Sequence, residues 1–257
     1  MAGACEAALV AGLAEIAFAD HADFEPSDDC YGYLKPQAYL EEIARCRAIY
    51  GESLTIRAGI EIGEPHVYNR ETAAFLSAHR FDLVLGSLHW VEGELALMGD
   101  YFASRTLEDG LRAYFAELAL LAESADFDVL AHFDVVRRAA YMAFGLEEID
   151  YRPFEEIIRR VLAHLVRRGR GLEVNTSSLR RRMGGLHPGL QILRWYREEG
   201  GQIVTLGSDA HRADSVGASL DEAAAAVRAA GFGKLAVYED RKPSWLPLTQ
   251  STPVRAA

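Results

Sequence analysis

Residues 13–21 read Leu13-Ala14-Glu15-Ile16-Ala17-Phe18-Ala19-Asp20-His21. A mostly apolar run without clean alternation, closed by an acid and an imidazole, is the pattern of a strand in the interior of a parallel sheet whose end reaches a polar surface. The pattern recurs along the chain. Leu54–Ile62 contains Glu61, with Glu64 just beyond, and Phe81–Ser87 runs into Leu88-His89. Asp128–His132 ends in a histidine with Asp134 following, Gly171–Asn175 is followed by Thr176-Ser177, and Gln202–Ser208 runs into Asp209-Ala210-His211.

Amphipathic helices are expected between these runs. Phe154, Ile157, Ile158, Val161, Leu162 and Leu165 share one helical face, and Leu107, Leu111, Phe115 and Leu118 another. Tyr39, Leu40, Ile43 and Tyr50 give a weaker third stripe. Ser219 to Glu222 reads as a capping box, and Pro188 suits the first turn of a helix. Strand–helix alternation of this kind means βαβ units around a parallel sheet or barrel. No linker or repeat interrupts residues 1–257, which predicts a single α/β domain. From Lys234 onward, one short strand (Leu235–Tyr238) and a Pro-punctuated tail are expected.

The 257 residues are 50% apolar and 25% charged, which excludes a disordered chain, a collagen-like fibre and a disulfide miniprotein. A formal net charge of −11 argues against bulk binding to nucleic acid or anionic lipid. No apolar run is long enough for a membrane span, and residues 1–8 make a poor signal peptide. Cys5, Cys30 and Cys46 form no paired motif and read as thiols of a reducing cytoplasm.

In a parallel barrel, the C-terminal ends of the strands converge on one face. That face would gather His21, Glu61, His89, His132, Asp209 and His211, a ligand set for divalent transition metals. Its donors suit zinc, manganese and iron alike. Of the other four histidines, His79 near a helix end, His164 within a helix and His187 in a Leu-His-Pro-Gly turn look unremarkable, whereas His66, in Glu-Pro-His after the second strand, stays a candidate by its position on that face. Arg137 and Arg138 follow the fourth strand and Arg180, Arg181 and Arg182 the fifth, on the same face. Guanidinium groups there could grip a phosphate with paired hydrogen bonds.

Ala8 to His21, Gly59-Ile60-Glu61, Gly86-Ser87-Leu88-His89, Ala131-His132-Phe133-Asp134, Glu173 to Ser177, and Gly207 to His211 together resemble the PHP (polymerase and histidinol phosphatase) family, in its histidinol-phosphatase branch. The resemblance implies a distorted (β/α)7 TIM-like barrel with two or three divalent metals (Zn, Mn or Fe) at its C-terminal mouth. It makes Glu61 a bridge between two metals, with His89 and His132 completing the shell of one. Asp209 would serve the other member of that pair, and His21 and His211 a third metal. Glu61, Asp209 and His211 become catalytic candidates, and Arg137, Arg138, Arg180, Arg181 and Asn175 candidates for holding substrate.

The implied reaction is hydrolysis of L-histidinol phosphate to L-histidinol and phosphate in histidine biosynthesis. Hydrolysis of another small phosphate ester is the alternative within the family. Family members open with a strand carrying His-x-His, whereas this chain opens with a helix that has no Ser, Thr, Asp or Asn cap. The barrel is therefore expected to lack its first strand and the first metal its two histidines, with the natural start upstream of Met1. Were Met1 the true start, a metal-binding protein with impaired catalysis would be the third reading.

Overall fold

The computed structural model describes residues 1–248 apart from Arg182. After an opening helix α1 (Ala2–Val10), the chain alternates strands and helices: β1 (Glu15–His21), α2 (Pro36–Tyr50), β2 (Thr55–Gly63), α3 (Asn69–Ala78) and β3 (Leu83–Ser87). A small hairpin, β4 (Trp90–Val91) and β5 (Glu94–Leu95), precedes α4 (Leu107–Ser124), β6 (Val129–Leu130), α5 (Arg137–Phe144) and α6 (Glu155–Arg168). Then come β7 (Gly171–Asn175), α7 (Ser177–Arg181), α8 (Leu190–Glu198), β8 (Val204–Gly207), α9 (Leu220–Ala229), β9 (Lys234–Glu239) and β10 (Lys242–Pro247).

Six strands form one parallel sheet in the order β1-β2-β3-β6-β7-β8. Neighbours in space are neighbours in sequence, as right-handed crossovers produce, so the sheet curls as part of a TIM-like barrel. Among the described residues it does not close. β1 and β8 are its edges, and the gap between them opens into a cavity of about 660 Å³ lined by Ile16, Phe18, Leu85 and Leu206. The edge position explains why β1 is only half-buried beyond Ile16, while β3 and β7 are buried throughout.

Helices cover the outer face. The stripes read from sequence are the buried ones: Leu111, Phe115 and Leu118 on α4, and Ile158, Val161, Leu162 and Leu165 on α6, which pack together. Thr106 caps α4 by accepting the Asp109 amide at 3.1 Å, a cap the sequence reading missed. Leu83, Leu85, Val129 and Ala131 form a smaller inner cluster with Ala236 and Tyr238 of β9.

Three local expectations are corrected. Ser219 sits in the left-handed region (φ 59°) and caps no backbone amide, its hydroxyl turning to the Glu222 carboxylate instead. Pro188 lies before Gly189, the N-cap of α8, rather than in its first turn. The expected single strand near residue 235 is the first arm of the β9–β10 hairpin, and residues 249–257 of the expected tail lie outside the described residues. Arg241 at the hairpin turn ties it to the barrel through Asp126 (2.8 Å) and Asp128 (3.0 Å).

Candidate metal centre

Parallel register brings the polar strand ends together. His21 and Glu61 are direct partners across β1 and β2, and Asn175 and Gly207 across β7 and β8. His89 stands two residues past β3, His132 two past β6, and Asp209 two past β8. Three non-glycine residues there have positive φ: Glu64 at 45°, His132 at 22° and Asp209 at 49°. Backbone held in that region commonly marks a functional site, since packing must override its cost.

At the centre, Glu61 Oε1 lies 3.1 Å from His132 Nε2 and 3.2 Å from His89 Nε2, and the two imidazole nitrogens are 3.4 Å apart. His21 adds a nitrogen to the Glu61–His89 group, all within 4.8 Å of one another. Its Nδ1 faces Asp23 Oδ2 at 3.2 Å, and Asp23 accepts the Gly63 amide at 3.1 Å. A carboxylate behind an imidazole is the usual support of a metal-ligating histidine. His211 is more exposed; its Nδ1 stands 3.3 Å from Asp209 Oδ1 and its ring 6.2 Å from that of His21.

The charges are unbalanced in a way a cation would relieve. The Glu61 charge, above all, lifts the His21 imidazole to about 10 against the effect of burial. Burial lowers His89, but the bond and charge of Glu61 outweigh it and raise the group to about 9. Burial would raise the Glu61 carboxyl, yet the His21 charge and the bonds from His132 and His89 hold it well below the ordinary range. Asp209 is likewise held low against burial, by the charges of His132 and Arg138. For two buried acids behind them, burial outweighs the neighbouring imidazole charges and backbone amides. Burial pushes Glu173 up to about 7 and raises Glu64 as well. Imidazole lone pairs and carboxylates packed this closely repel unless protons or cations intervene, so the donor set fits divalent metal.

Glu173 was not among the sequence candidates. Its Oε2 accepts the His132 amide (2.9 Å) and Asn175 Nδ2 (3.1 Å), fixing two strand ends at once. A Cβ at Gly207 would collide with its other oxygen, so glycine is required there. The readable signal was an acid between Leu172 and Val174 in a doubly buried strand. Asn175 is 1% exposed, and its other end accepts from the Ser177 amide (3.0 Å) and hydroxyl. Its side chain is therefore committed within the wall.

The arginines separate. Arg138 is buried, donates to Asp209 Oδ2 at 3.2 Å and also contacts Ser177. Arg137 instead bonds the Leu186 carbonyl (2.8 Å) and lines a different cavity with Tyr151 and Leu190. Arg180 donates to the backbone carbonyls of Ser208 and of Asp209 (2.9 Å), whereas Arg181 is exposed on α7. Arg182 lies outside the described residues. Of the other histidines, His66 pairs with Glu117 (2.7 Å), His164 with Arg167 (2.8 Å), and His79 ends α3. His187 departs from expectation: it is fully buried, between Asp134 and Ser178. All three cysteines are free thiols, and no described helix is long and apolar enough to cross a membrane.

Comparison with known proteins gives a consistent picture. Residues 1–177 match the family described as PHP domain. A histidinol-phosphatase of Lactococcus lactis subsp. lactis is 27% identical over 239 residues, spanning 91% of this chain and 87% of the relative. A histidinol-phosphatase of Bacillus subtilis is 25% identical over 82% of this chain and 87% of its own. Among solved structures, the histidinol phosphate phosphatase of Lactococcus lactis, complexed with zinc, L-histidinol and phosphate, superimposes with a TM-score of 0.85 at 25% identity. That match covers 94% of this chain and 91% of the other.

Proposed function

The chain belongs to the PHP domain family, and from that premise we propose that it is a metal-dependent phosphomonoesterase that hydrolyses L-histidinol phosphate to L-histidinol and phosphate, a step of histidine biosynthesis. The observation that carries the reading is the convergence of Glu61, His89 and His132 within 3.4 Å, with the Arg138 guanidinium on the neighbouring Asp209. The relative whose structure holds zinc, L-histidinol and phosphate supports the same substrate.

Glu61, His89 and His132 would hold one divalent ion, Glu61 and Asp209 would contribute to a second, and His21 and His211 would serve a third. Divalent cations there supply Lewis acidity and positive charge, which phosphate monoester hydrolysis needs because its charge must be stabilised as it moves. They also let a protein of net charge −11 accept an anion. The residues themselves position. Arg138, held by Asp209 and Ser177, and Arg180, held over the Ser208–Asp209 backbone, present guanidinium groups for phosphate oxygens. Glu173 locks the His132 backbone that aims one ligand.

The described residues read as one catalytic domain. β8, beyond the matched 1–177, completes the same sheet and supplies Asp209. Three free cysteines support a reducing, cytoplasmic setting, and the acidic surface supports a small-molecule partner rather than nucleic acid. The test is a panel of phosphate monoesters with the zinc- or manganese-loaded protein. kcat/KM is expected to be highest for histidinol phosphate, to vanish on chelation and to return with metal. Hydrolysis of no monoester by the metal-loaded protein overturns the catalytic reading.

A further inference from the structure

Asp134, His187 and Ser178 are each 0% exposed and form one chain of hydrogen bonds that ends on Arg138. Its direction follows from the chemistry of the groups. Tyr151 donates to Asp134 Oδ2 at 2.7 Å, so that oxygen is occupied. An ionised carboxylate can only accept, so His187 Nδ1, 3.0 Å from Asp134 Oδ1, carries the imidazole proton. His187 Nε2 is then a bare lone pair, and the Ser178 hydroxyl 2.5 Å away must donate to it. With its proton so directed, Ser178 Oγ turns a lone pair to the Arg138 Nε–H, 3.3 Å away.

The chain joins separate elements. Asp134 follows β6, Ser178 is on α7, and Arg138 is in the first turn of α5. The His187 backbone is pinned to the end of β7 by reciprocal bonds with Asn175, of 2.8 and 3.0 Å. Arg138 Nη2 is held by Ser177 and Asp209, and Nε by Ser178. Among the described residues Nη1 has no partner, which leaves it for a ligand oxygen. The order Ser–His–Asp is also that of an activated serine nucleophile. Here, however, the serine is sealed from solvent and its lone pair faces a guanidinium, so the arrangement acts on the arginine rather than on a carbonyl or phosphorus.

We propose that His187 is a positioning residue: through Ser178 it fixes the Arg138 guanidinium in the orientation that grips the phosphoryl group of the substrate. The inference rests on Arg138 being a phosphate ligand, and its test separates the two claims. Equilibrium dialysis of labelled inorganic phosphate against the zinc-loaded protein measures the grip without requiring turnover. Ser178→Ala removes the relay, and His187→Asn keeps a donor for Asp134 but loses the acceptor for Ser178. Each is expected to weaken phosphate binding about tenfold, with zinc content unchanged. His187→Gln places a carbonyl oxygen where Nε2 stood and is expected to bind within about threefold of the unaltered protein, a rescue that mere packing does not predict.

Phosphate binding by Ser178→Ala equal to that of the unaltered protein overturns the relay, and so does a His187→Gln variant as weak as His187→Asn. Should His187→Asn fail to fold, Ser178→Ala, which deletes one oxygen, decides alone. Arg138→Ala is expected to weaken binding at least tenfold. Unchanged binding there removes the phosphate-ligand reading and the relay with it; a loss there but none in Ser178→Ala removes the relay only.

Discussion

His89 Nε2 and His132 Nε2 face each other 3.4 Å apart, with Glu61 Oε1 within 3.2 Å of both. The residues are 43 positions apart, on loops after different strands, and no covalent or local constraint brings them together. Two ring nitrogens that can each donate only when protonated, and a shared carboxylate, are the preconditions of a metal site.

Loss of either imidazole should therefore cost metal before it costs fold. His89→Ala and His132→Ala are each expected to lose about one equivalent of zinc by elemental analysis and to lower kcat/KM at least a hundredfold. A variant that keeps full zinc content and activity contradicts the ligand assignment.

Glu173 makes a different prediction. Glu173→Ala leaves the buried His132 amide and the Asn175 side chain without their acceptor, so stability should fall by about 1–3 kcal/mol in urea unfolding. Gly207→Ala pushes on the same carboxylate from β8 and should also destabilise. Either substitution should weaken zinc binding, because His132 loses its fixed backbone.

The hairpin clasp is testable apart from the site. Asp128 is 4% exposed and is held by Arg241 at 3.0 Å, with Arg170 at 3.5 Å and the Val84 amide at 2.9 Å as its other partners, so Arg241→Ala removes the nearest cation from a buried carboxylate and should cost about 1–3 kcal/mol of stability. Zinc content and phosphate binding should stay as in the unaltered protein, since Arg241 touches neither the donor set nor the arginines. Equal unfolding midpoints in denaturant would show that the clasp contributes nothing.

Acid should destabilise the protein through His187. Burial, only partly offset by the Asp134 charge, depresses this imidazole to about 4 from an ordinary value of 6.5. Between those values the unfolded chain binds a proton that the folded one refuses, so stability rises with pH across the window. It is expected to fall as pH drops from about 6.5 towards 4, by up to about 1.4 kcal/mol per unit. His187→Gln should flatten that slope in unfolding curves taken at successive pH values, while a slope unchanged by the substitution assigns the effect to other groups.

Much of the barrel was legible because its strands are interior to a parallel sheet and so appear as apolar runs without alternation, each closed by polar residues. Edge strand β1 was found the same way, since Leu13 and Ile16 are buried and Ala17, Phe18 and Ala19, though half-buried, still pack against the core. The β9–β10 hairpin was half missed: Lys242 to Pro247 is mostly exposed, so burial leaves no pattern on it. The Ser219 cap failed because the tertiary path forces that residue to positive φ, which a local motif cannot foresee.

By itself, the sequence determined the alternating fold and the strand-end positions of His21, Glu61, His89, His132, Asp209 and His211, because apolar runs and helical stripes are written in the local order of residues. Only the tertiary structure decided that Arg138 rather than Arg137 reaches Asp209, that Asn175 is spent on its neighbours, and that Glu173 and His187 stand behind the site. Those facts depend on which side of a helix or strand faces which loop. Register and packing between distant segments set that, and no single stretch of residues encodes it.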